Sequence, residues 1–250
     1  MRALFKIALA LVAIFWAYET YGPYDFRLEG TTLSWYPKGV SEASVGTVRK
    51  VKTVTYNLSG ATPKSHTPVK ASGETLPPVG HYDYCKRNPE ECRSVTATGP
   101  MLLTKERMKQ LHGVRDWVRT NIKQVTDVDI NINGDPEYWQ APWETLDREE
   151  GDCEDHALLT RYFLLDMGWE PSMLLMAVVK KPDGEGHAVL IVRGRNSQGE
   201  INLILDNLDQ RILKVEETNY KFLKRQSPRH AGKWESINDS RILVSAVAIQ

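Results

Sequence analysis

The stretch Gly151-Asp152-Cys153-Glu154-Asp155 sets one thiol among three carboxylates. The reactive form of cysteine is the thiolate, which a helix N-terminus or a neighbouring imidazolium favours and adjacent carboxylates oppose. The pattern therefore calls for a positive group near Cys153, either a histidine, a metal ion or both.

His187 and Asp206 are the candidates for a base and for the group that orients it. His187 follows Gly184-Glu185-Gly186, a flexible approach suited to a site, and begins a predicted strand, while Asp206 belongs to the next strand. A thiol, an imidazole and a carboxylate supply a nucleophile, a general base and an orienting acid. We therefore predict a triad of Cys153, His187 and Asp206. The alternative is that His187 is an ordinary surface or core histidine.

The hairpin between these two strands permits two registers. A turn centred between Asn196 and Ser197 puts Asp206 directly opposite His187. A turn centred one residue later puts Asp206 opposite Val189 and diagonal to His187, on the same face of the sheet. Both registers leave the imidazole and the carboxylate within reach of each other.

A helix is predicted to begin at Cys153 and to stop at Gly168, because apolar residues recur on one face: Ala157, Leu158, Tyr162 and Leu165. A cysteine there would gain from the helix dipole, and the first-turn N–H groups could stabilise an oxyanion. Asp152 also fits an N-cap, with Asp155 as its capping-box partner. Those roles would explain two of the acids without a metal.

Other elements must position this helix and the two strands. Thr104 is a candidate cap for a core-facing helix that runs to Ile122. The aromatic segment 138–143 precedes the cysteine, and its Trp139 and Trp143 either line a cleft for an extended peptide or belong to the core. A run of strands is predicted after Gly168: Ser172–Lys180, His187–Arg193 and Glu200–Leu208.

The chain divides into three segments. Residues 1–22 contain Arg2, Lys6 and the apolar run 7–18, which predict a signal peptide or an uncleaved membrane anchor; a buried helix is the alternative. Residues 23–79 read as an irregular arm or linker rich in proline, apart from the alternating stretch 48–58. Residues 80–250 are predicted to form the compact domain.

The remaining cysteines, Cys85 and Cys92, enclose a short loop. In an oxidising compartment they could form a disulfide, which would leave Cys153 as a free thiol. The alternative is that both are reduced and buried.

Lys and Arg total 32, as do Asp and Glu, and we find no long basic stripe. Nucleic acid is therefore not an expected partner.

The ordered set of motifs resembles the bacterial transglutaminase-like cysteine peptidases, a family that includes LapG-like periplasmic proteases. The set covers residues 80–250 and consists of segments 138–142, 151–155, 187–190 and 205–208, with weaker matches at 84–89, Tyr220, Gln226, Ser227 and Trp234. The resemblance implies an α+β, papain-like core with the nucleophile at a helix N-terminus on an antiparallel sheet. It assigns the triad to Cys153, His187 and Asp206.

The resemblance also implies a calcium site, carried by Asp152, Glu154 and Asp155. Clustered carboxylates offer the hard oxygen ligands that calcium prefers, and the ion would offset their repulsion of a thiolate. Zinc held by Cys153 and His156 is the rival interpretation, but further ligands are not evident and coordination would consume the nucleophile.

The function expected from these features is a periplasmic cysteine endopeptidase, either released or held at the inner membrane by its N-terminal segment. The resemblance implies a protein substrate such as a large surface adhesin, a part in biofilm release, and control by an inner-membrane regulatory receptor. Two alternatives remain: a non-catalytic module of the same fold that binds a peptide or receptor, and a transglutaminase that transfers the acyl group to an amine.

Overall fold

The computed structural model describes residues 70–127, 134 and 137–239, and the backbone of 24–29 and 32–37. The predicted signal peptide or anchor, residues 1–22, lies outside the described residues, as does the alternating stretch 48–58. In the part of the chain that is described, no helix is both long and apolar enough to cross a membrane.

The described elements alternate between short strands and helices in the first half of the chain and are mostly strands in the second. The strands are β1 (Tyr24–Glu29), β2 (Thr32–Pro37), β3 (Ala71–Thr75), β4 (Met101–Leu102), β5 (Lys123–Gln124), β6 (Glu150–Gly151), β7 (Leu174–Lys180), β8 (Gly186–Asn196), β9 (Gly199–Leu205), β10 (Leu213–Lys214), β11 (Lys221–Ser227) and β12 (His230–Ile237). The helices are α1 (Val79–Arg87), α2 (Lys105–Asn121), α3 (Pro142–Arg148) and α4 (Cys153–Asp166).

The main sheet has the strand order β10-β9-β8-β7-β11-β12-β3, and neighbouring strands in this order run antiparallel. β4 joins it in parallel beside the end of β8, where Met101 faces Gly194. Gly194 is required there, because a Cβ atom on it would lie 2.6 Å from the side chain of Leu103. The helices and this antiparallel sheet confirm the predicted α+β class.

The central strands are buried on both faces. Along β7, Leu174 and Met176 pack into the larger core with α2 and α4, whereas Leu175, Ala177 and Val179 pack into a second cluster on the opposite face. β7 and β8 therefore read in sequence as continuous apolar runs rather than as alternating strands. The larger core fixes the start of α4 against the ends of β8 and β9.

Strand β3 forms one edge of the main sheet through its antiparallel pairing with β12. It lies within residues 23–79, which the sequence predicts as an irregular arm, and so do the paired strands β1 and β2. The residues of β3 are exposed or only partly buried and show no apolar alternation, so no periodic signal marks this strand. The main sheet therefore begins before Gly80.

A disulfide between Cys85 and Cys92 joins the end of α1 to the short 3-10 helix that follows. Of the two alternatives for these cysteines, the bonded one is observed, and Cys153 is the free thiol. α1 is also fixed through His81, which is 1% exposed and stacks edge-on against Trp139 and Trp234. This cluster anchors the segment that leads to the cysteine helix.

Candidate active site

Cys153 occupies the first turn of α4, as the sequence predicts. Asp152 is the N-cap residue, and its backbone N–H donates to Asp155 Oδ2 at 3.2 Å. Gly151 allows this close return of the chain, because a Cβ atom on it would lie 2.7 Å from Cβ of Asp155. The helix therefore starts in a tight turn that draws the carboxylates together around the thiol.

His187, at the start of β8, and Asp206, directly after the end of β9, lie next to each other. β8 and β9 pair with Leu190 opposite Leu205, which is the second of the two predicted registers. β9 ends at Leu205 rather than at the predicted Leu208, because Asp206 turns out of the sheet and accepts a hydrogen bond from the Leu208 amide at 2.9 Å. His187 Nε2 and Asp206 Oδ1 are 2.9 Å apart, and both side chains are buried.

Tyr220 is a further member of this group that the sequence did not reveal as one. Its hydroxyl donates to Asp206 Oδ2 at 2.5 Å, and its ring lies edge-on to that of His187 at 5.7 Å. Burial tends to raise the pKa of Asp206, but the bonds from His187, Tyr220 and the Leu208 amide outweigh it and lower that pKa below its ordinary value. Asp206 is therefore held as a carboxylate with both oxygens engaged.

The thiol lies beside this pair and beside an acid. The Ala188 amide points at Cys153 Sγ from 3.3 Å, and the thiol donates to Glu154 Oε2 at 3.1 Å. Within the described residues, the thiol has no direct hydrogen bond to His187. Burial first, and then the charges of Glu154 and Asp152, raise the pKa of Cys153 well above its ordinary value. The conflict expected from the sequence is thus present: the protonated thiol is favoured unless a positive charge intervenes.

The predicted metal ligands fall into two overlapping groups. Oxygen atoms of Asp127, Asp152 and Asp155 lie within 4.8 Å of one another, and a second group of the same spacing joins Asp152 and Glu154 to the Cys153 sulfur. Asp127 is absent from the set inferred from sequence. β5 runs parallel to β6, which brings Asp127, shortly after β5, to Asp152, directly after β6. That pairing joins distant segments, so no local spacing could reveal it.

These carboxyl groups hold their protons unusually tightly. Burial is the main cause for each, and it raises the pKa of Asp152 to about 9, of Asp155 to about 8 and of Glu154 to about 7. Repulsion from neighbouring acids adds to the effect at Asp152 and Asp155. One oxygen of Asp152, Oδ1, is buried and has no hydrogen-bond partner in the part of the chain that the structure describes. Protonated acids that lie this close together could bind a cation, which would replace their protons.

Gln140 positions Asp155; it belongs to the matching segment 138–142, but its contact with Asp155 is not predicted from the sequence. Its backbone N–H donates to Asp155 Oδ1 and its side-chain Nε2 to Asp155 Oδ2, each at 2.7 Å. Trp139 is 2% exposed and packs in the core, so for this residue the core alternative holds and not the cleft. The aromatic segment therefore holds Asp155 in place through Gln140, and its Trp139 ring is not available to a peptide.

A small pocket opens between α2, α4, the start of β8 and the residues that follow β9. It is lined by Arg115, Val118, Arg119, Cys153, His156, Ala157, Thr160, Ala188, Leu205, Asp206 and Asn207. Burial, and next the charge of Arg119, lowers the pKa of His156 to about 4. In the described part of the chain, no group of three potential metal ligands contains His156, so nothing supports the zinc interpretation.

Comparisons with known proteins identify one family and several similar solved structures. The family model described as bacterial transglutaminase-like cysteine proteinase matches residues 71–242. Similar solved structures include LapG of Legionella pneumophila, at 25% identity and a TM-score of 0.42, covering 50% of this chain and 67% of that one. Its calcium-bound form has 28% identity, a TM-score of 0.41 and coverages of 49% and 67%. The EGTA-treated form has 24% identity and a TM-score of 0.43, and the match covers 52% of this chain and 70% of that one. No curated protein sequence matches.

Proposed function

The chain belongs to the bacterial transglutaminase-like cysteine proteinases, and from its cysteine peptidase activity we propose that Cys153, His187 and Asp206 are the catalytic triad. The observation that carries this proposal is the 2.9 Å bond between His187 Nε2 and Asp206 Oδ1 beside a thiol at a helix start. A family of proteinases does not favour the alternative of a non-catalytic binding module.

Proton transfer between Cys153 and His187 starts the reaction. Because Nε2 of His187 faces Asp206, Nδ1 is the ring nitrogen left to take the thiol proton. The resulting thiolate attacks the carbonyl carbon of the scissile peptide, and the N–H groups at the start of α4 stabilise the oxyanion. The imidazolium then gives its proton to the leaving amine, which leaves an acyl group on Cys153.

Hydrolysis of the acyl-enzyme repeats these roles with water. His187 takes a proton from the water molecule, the hydroxide attacks the thioester, and Cys153 is released with its proton returned through the imidazole. Asp206 stays ionised throughout, fixes the tautomer and stabilises the imidazolium. Its engagement by Tyr220 and the Leu208 amide supports this orienting role.

We further propose that the acids beside the nucleophile hold calcium. Asp127, Asp152 and Asp155 fit this ion, since they offer only oxygen atoms, lie within 4.8 Å of one another and include the unpartnered Asp152 Oδ1. Glu154 lies between this group and the thiol, so it is a ligand candidate that also contacts Sγ. A bound cation would supply positive charge that favours the Cys153 thiolate.

The proposed substrate is an exported protein, a large surface adhesin being the kind that the family resemblance suggests. The charged and apolar N-terminal segment and the Cys85–Cys92 disulfide both favour a periplasmic protein, either released or held at the inner membrane. Release of such an adhesin would disperse a biofilm, and an inner-membrane receptor is the proposed regulatory partner.

The direct test is incubation of the protein with candidate surface proteins, with and without calcium, followed by mass spectrometry of the fragments. Cys153→Ala is expected to abolish cleavage, because no acyl-enzyme can form, and to leave the circular dichroism spectrum unchanged. A chelator should reduce cleavage by the wild type. The matched control is Thr96→Ala, at an exposed site away from the pocket. Cleavage that persists in the Cys153 variant would refute the nucleophile assignment.

A further inference from the structure

The pocket beside Cys153 contains a cation that the triad does not use. Arg119 on α2 donates from Nε to the backbone oxygen of Asn207 at 2.9 Å, which holds its guanidinium in place. Across the described residues, Arg119 has no carboxylate partner. The pocket's other arginine, Arg115, is ion-paired with Asp116. Among the described residues, the positive charge that Arg119 brings to the pocket wall is therefore not paired with a carboxylate.

His156 lines the same pocket, one helical turn after Cys153. It is only 4% exposed, yet neither of its ring nitrogens has a hydrogen-bond partner among the described residues. Asn207 Oδ1 is likewise buried without a partner. Buried polar atoms are normally hydrogen-bonded, and leaving them unpaired lowers stability. The pocket thus presents donors and an acceptor that a bound polar group would satisfy.

We propose that this pocket is a substrate subsite for an acidic side chain, an Asp or Glu close to the scissile bond. The carboxylate would accept hydrogen bonds from Arg119 and from the N–H of His156, and a backbone N–H of the same peptide would donate to Asn207 Oδ1. The net charge decides the class of ligand: a lysine or arginine side chain would be repelled by Arg119, and a neutral amide would leave its charge uncompensated.

This inference rests on the proposed peptidase function, because it assigns the pocket to the substrate of that reaction. It makes Arg119 and His156 residues that determine specificity. Since Cys153 lines the pocket as well, an acid bound there would lie next to the attacking sulfur.

A first experiment measures the anion site without any peptide cleavage. Iodoacetate and iodoacetamide alkylate a thiolate by the same displacement of iodide and differ in carrying a carboxylate or an amide. Cys153 is the free cysteine, so the ratio of the two alkylation rates reports on its surroundings. We expect Arg119→Gln to lower the iodoacetate-to-iodoacetamide ratio about fivefold, the size of one nearby charge at partial exposure.

Two variants serve as controls in that experiment. Arg119→Lys keeps the charge and should keep most of the ratio, and Arg229→Gln removes an exposed arginine in the turn between β11 and β12 and should leave the ratio unchanged. Circular dichroism establishes that each variant is folded. A ratio that is the same in folded Arg119→Gln as in the wild type overturns the proposal.

A second experiment uses fluorogenic peptides in which Asp is exchanged for Asn, and Glu for Gln, at each position around the scissile bond. The wild type should prefer the acid at one position by about tenfold in kcat/KM, and Arg119→Gln and His156→Phe should remove that preference. If the alkylation ratio depends on Arg119 but no peptide is cleaved, the anion site at Arg119 stands, while the proposed triad chemistry and with it the assignment of the site to a peptidase substrate fail. If peptides are cleaved without an acid preference, the subsite is overturned while the peptidase stands.

Discussion

Cys153 has more carboxyl groups beside it than a nucleophilic thiol ordinarily has. Its polar contacts are the Ala188 amide, which favours a thiolate, and Glu154, which opposes one. The helix dipole alone does not resolve this conflict, because burial and the acids raise the pKa of the thiol despite its position. A resident cation and the imidazole of His187 are the groups that can shift the balance.

Glu154→Gln is expected to lower the pKa of Cys153 in the calcium-free protein, because it removes the carboxylate 3.1 Å from the sulfur. The measurement is the pH dependence of alkylation by iodoacetamide in the presence of a chelator. Glu170→Gln, an exposed acid beyond the end of α4, is the matched control and should not move the profile. An unchanged profile in Glu154→Gln would show that burial and Asp152, without Glu154, keep the thiol protonated.

Tyr220→Phe tests the orienting carboxylate. Loss of the hydroxyl leaves Asp206 Oδ2 without its 2.5 Å donor, so the carboxylate is less firmly placed against His187. We expect kcat to fall by about tenfold, as for loss of a supporting hydrogen bond, with KM little changed. Tyr82→Phe, in the exposed part of α1, should retain full activity. A change confined to KM would argue that Tyr220 contacts substrate instead.

The secondary elements differ in how far the sequence determined them. α2 and α4 carry local signals, since Thr104 and Asp152 cap them and apolar residues repeat at helical spacing. For the hairpin of β8 and β9, the sequence predicts two registers. It cannot distinguish between them, because both place Asp206 on the same face of the sheet as His187. β3 was missed because it buries almost nothing and is specified by its partner β12.

The same distinction applies to the site. Cys153, His187 and Asp206 stand out by residue type and by short-range geometry. Tyr220 reaches Asp206 from the start of β11, which pairs with β7 rather than with β9, and Asp127 reaches Asp152 through the pairing of β5 with β6. These contacts depend on long-range topology, for which a single sequence contains no local signal.

Thr104→Ala should weaken the start of α2 without changing the site. The Thr104 side chain accepts a hydrogen bond from the Arg107 amide at 3.2 Å, and loss of an N-cap costs about 1 kcal/mol. Thermal unfolding should show a lower midpoint, while kcat/KM at 25 °C stays the same. Thr96→Ala, outside any helix, should leave the midpoint unchanged. An equal shift of the unfolding midpoint in both variants would show that Thr104 does not stabilise α2 as its N-cap.

For the molecule as a whole, the acid cluster should link stability to pH and, through the proposed calcium site, to calcium. The folded pKa of Asp152 is about 9 and that of Asp155 about 8, against about 4 in an unfolded chain. In the calcium-free protein the stability from these groups is fully present below about pH 4 and is lost as the pH rises through their folded pKa values.

Calcium at the proposed site should reverse this trend, because it would bind the ionised carboxylates and displace their protons. We expect the calcium-induced rise in the unfolding midpoint to grow between pH 6 and pH 9, measured by thermal scans with calcium or with a chelator. Asp152→Asn should remove most of the rise, and Glu170→Gln should preserve it. A calcium effect that is independent of pH would contradict proton displacement from these acids.

Because the ribosome makes a chain from its N-terminus, the pairing of β3 with β12 also sets the order of events during synthesis. Ala71 pairs with Ile237, and His81 contacts Trp234. β3, the first strand of the main sheet, therefore cannot pair until β12, the last strand, has been synthesised. A nascent chain can already contain Cys153, His187 and Asp206 while α1 and the Trp139 segment lack their final neighbours. Late closure of this kind would keep the growing peptidase open, which would suit the export across a membrane that we propose for it.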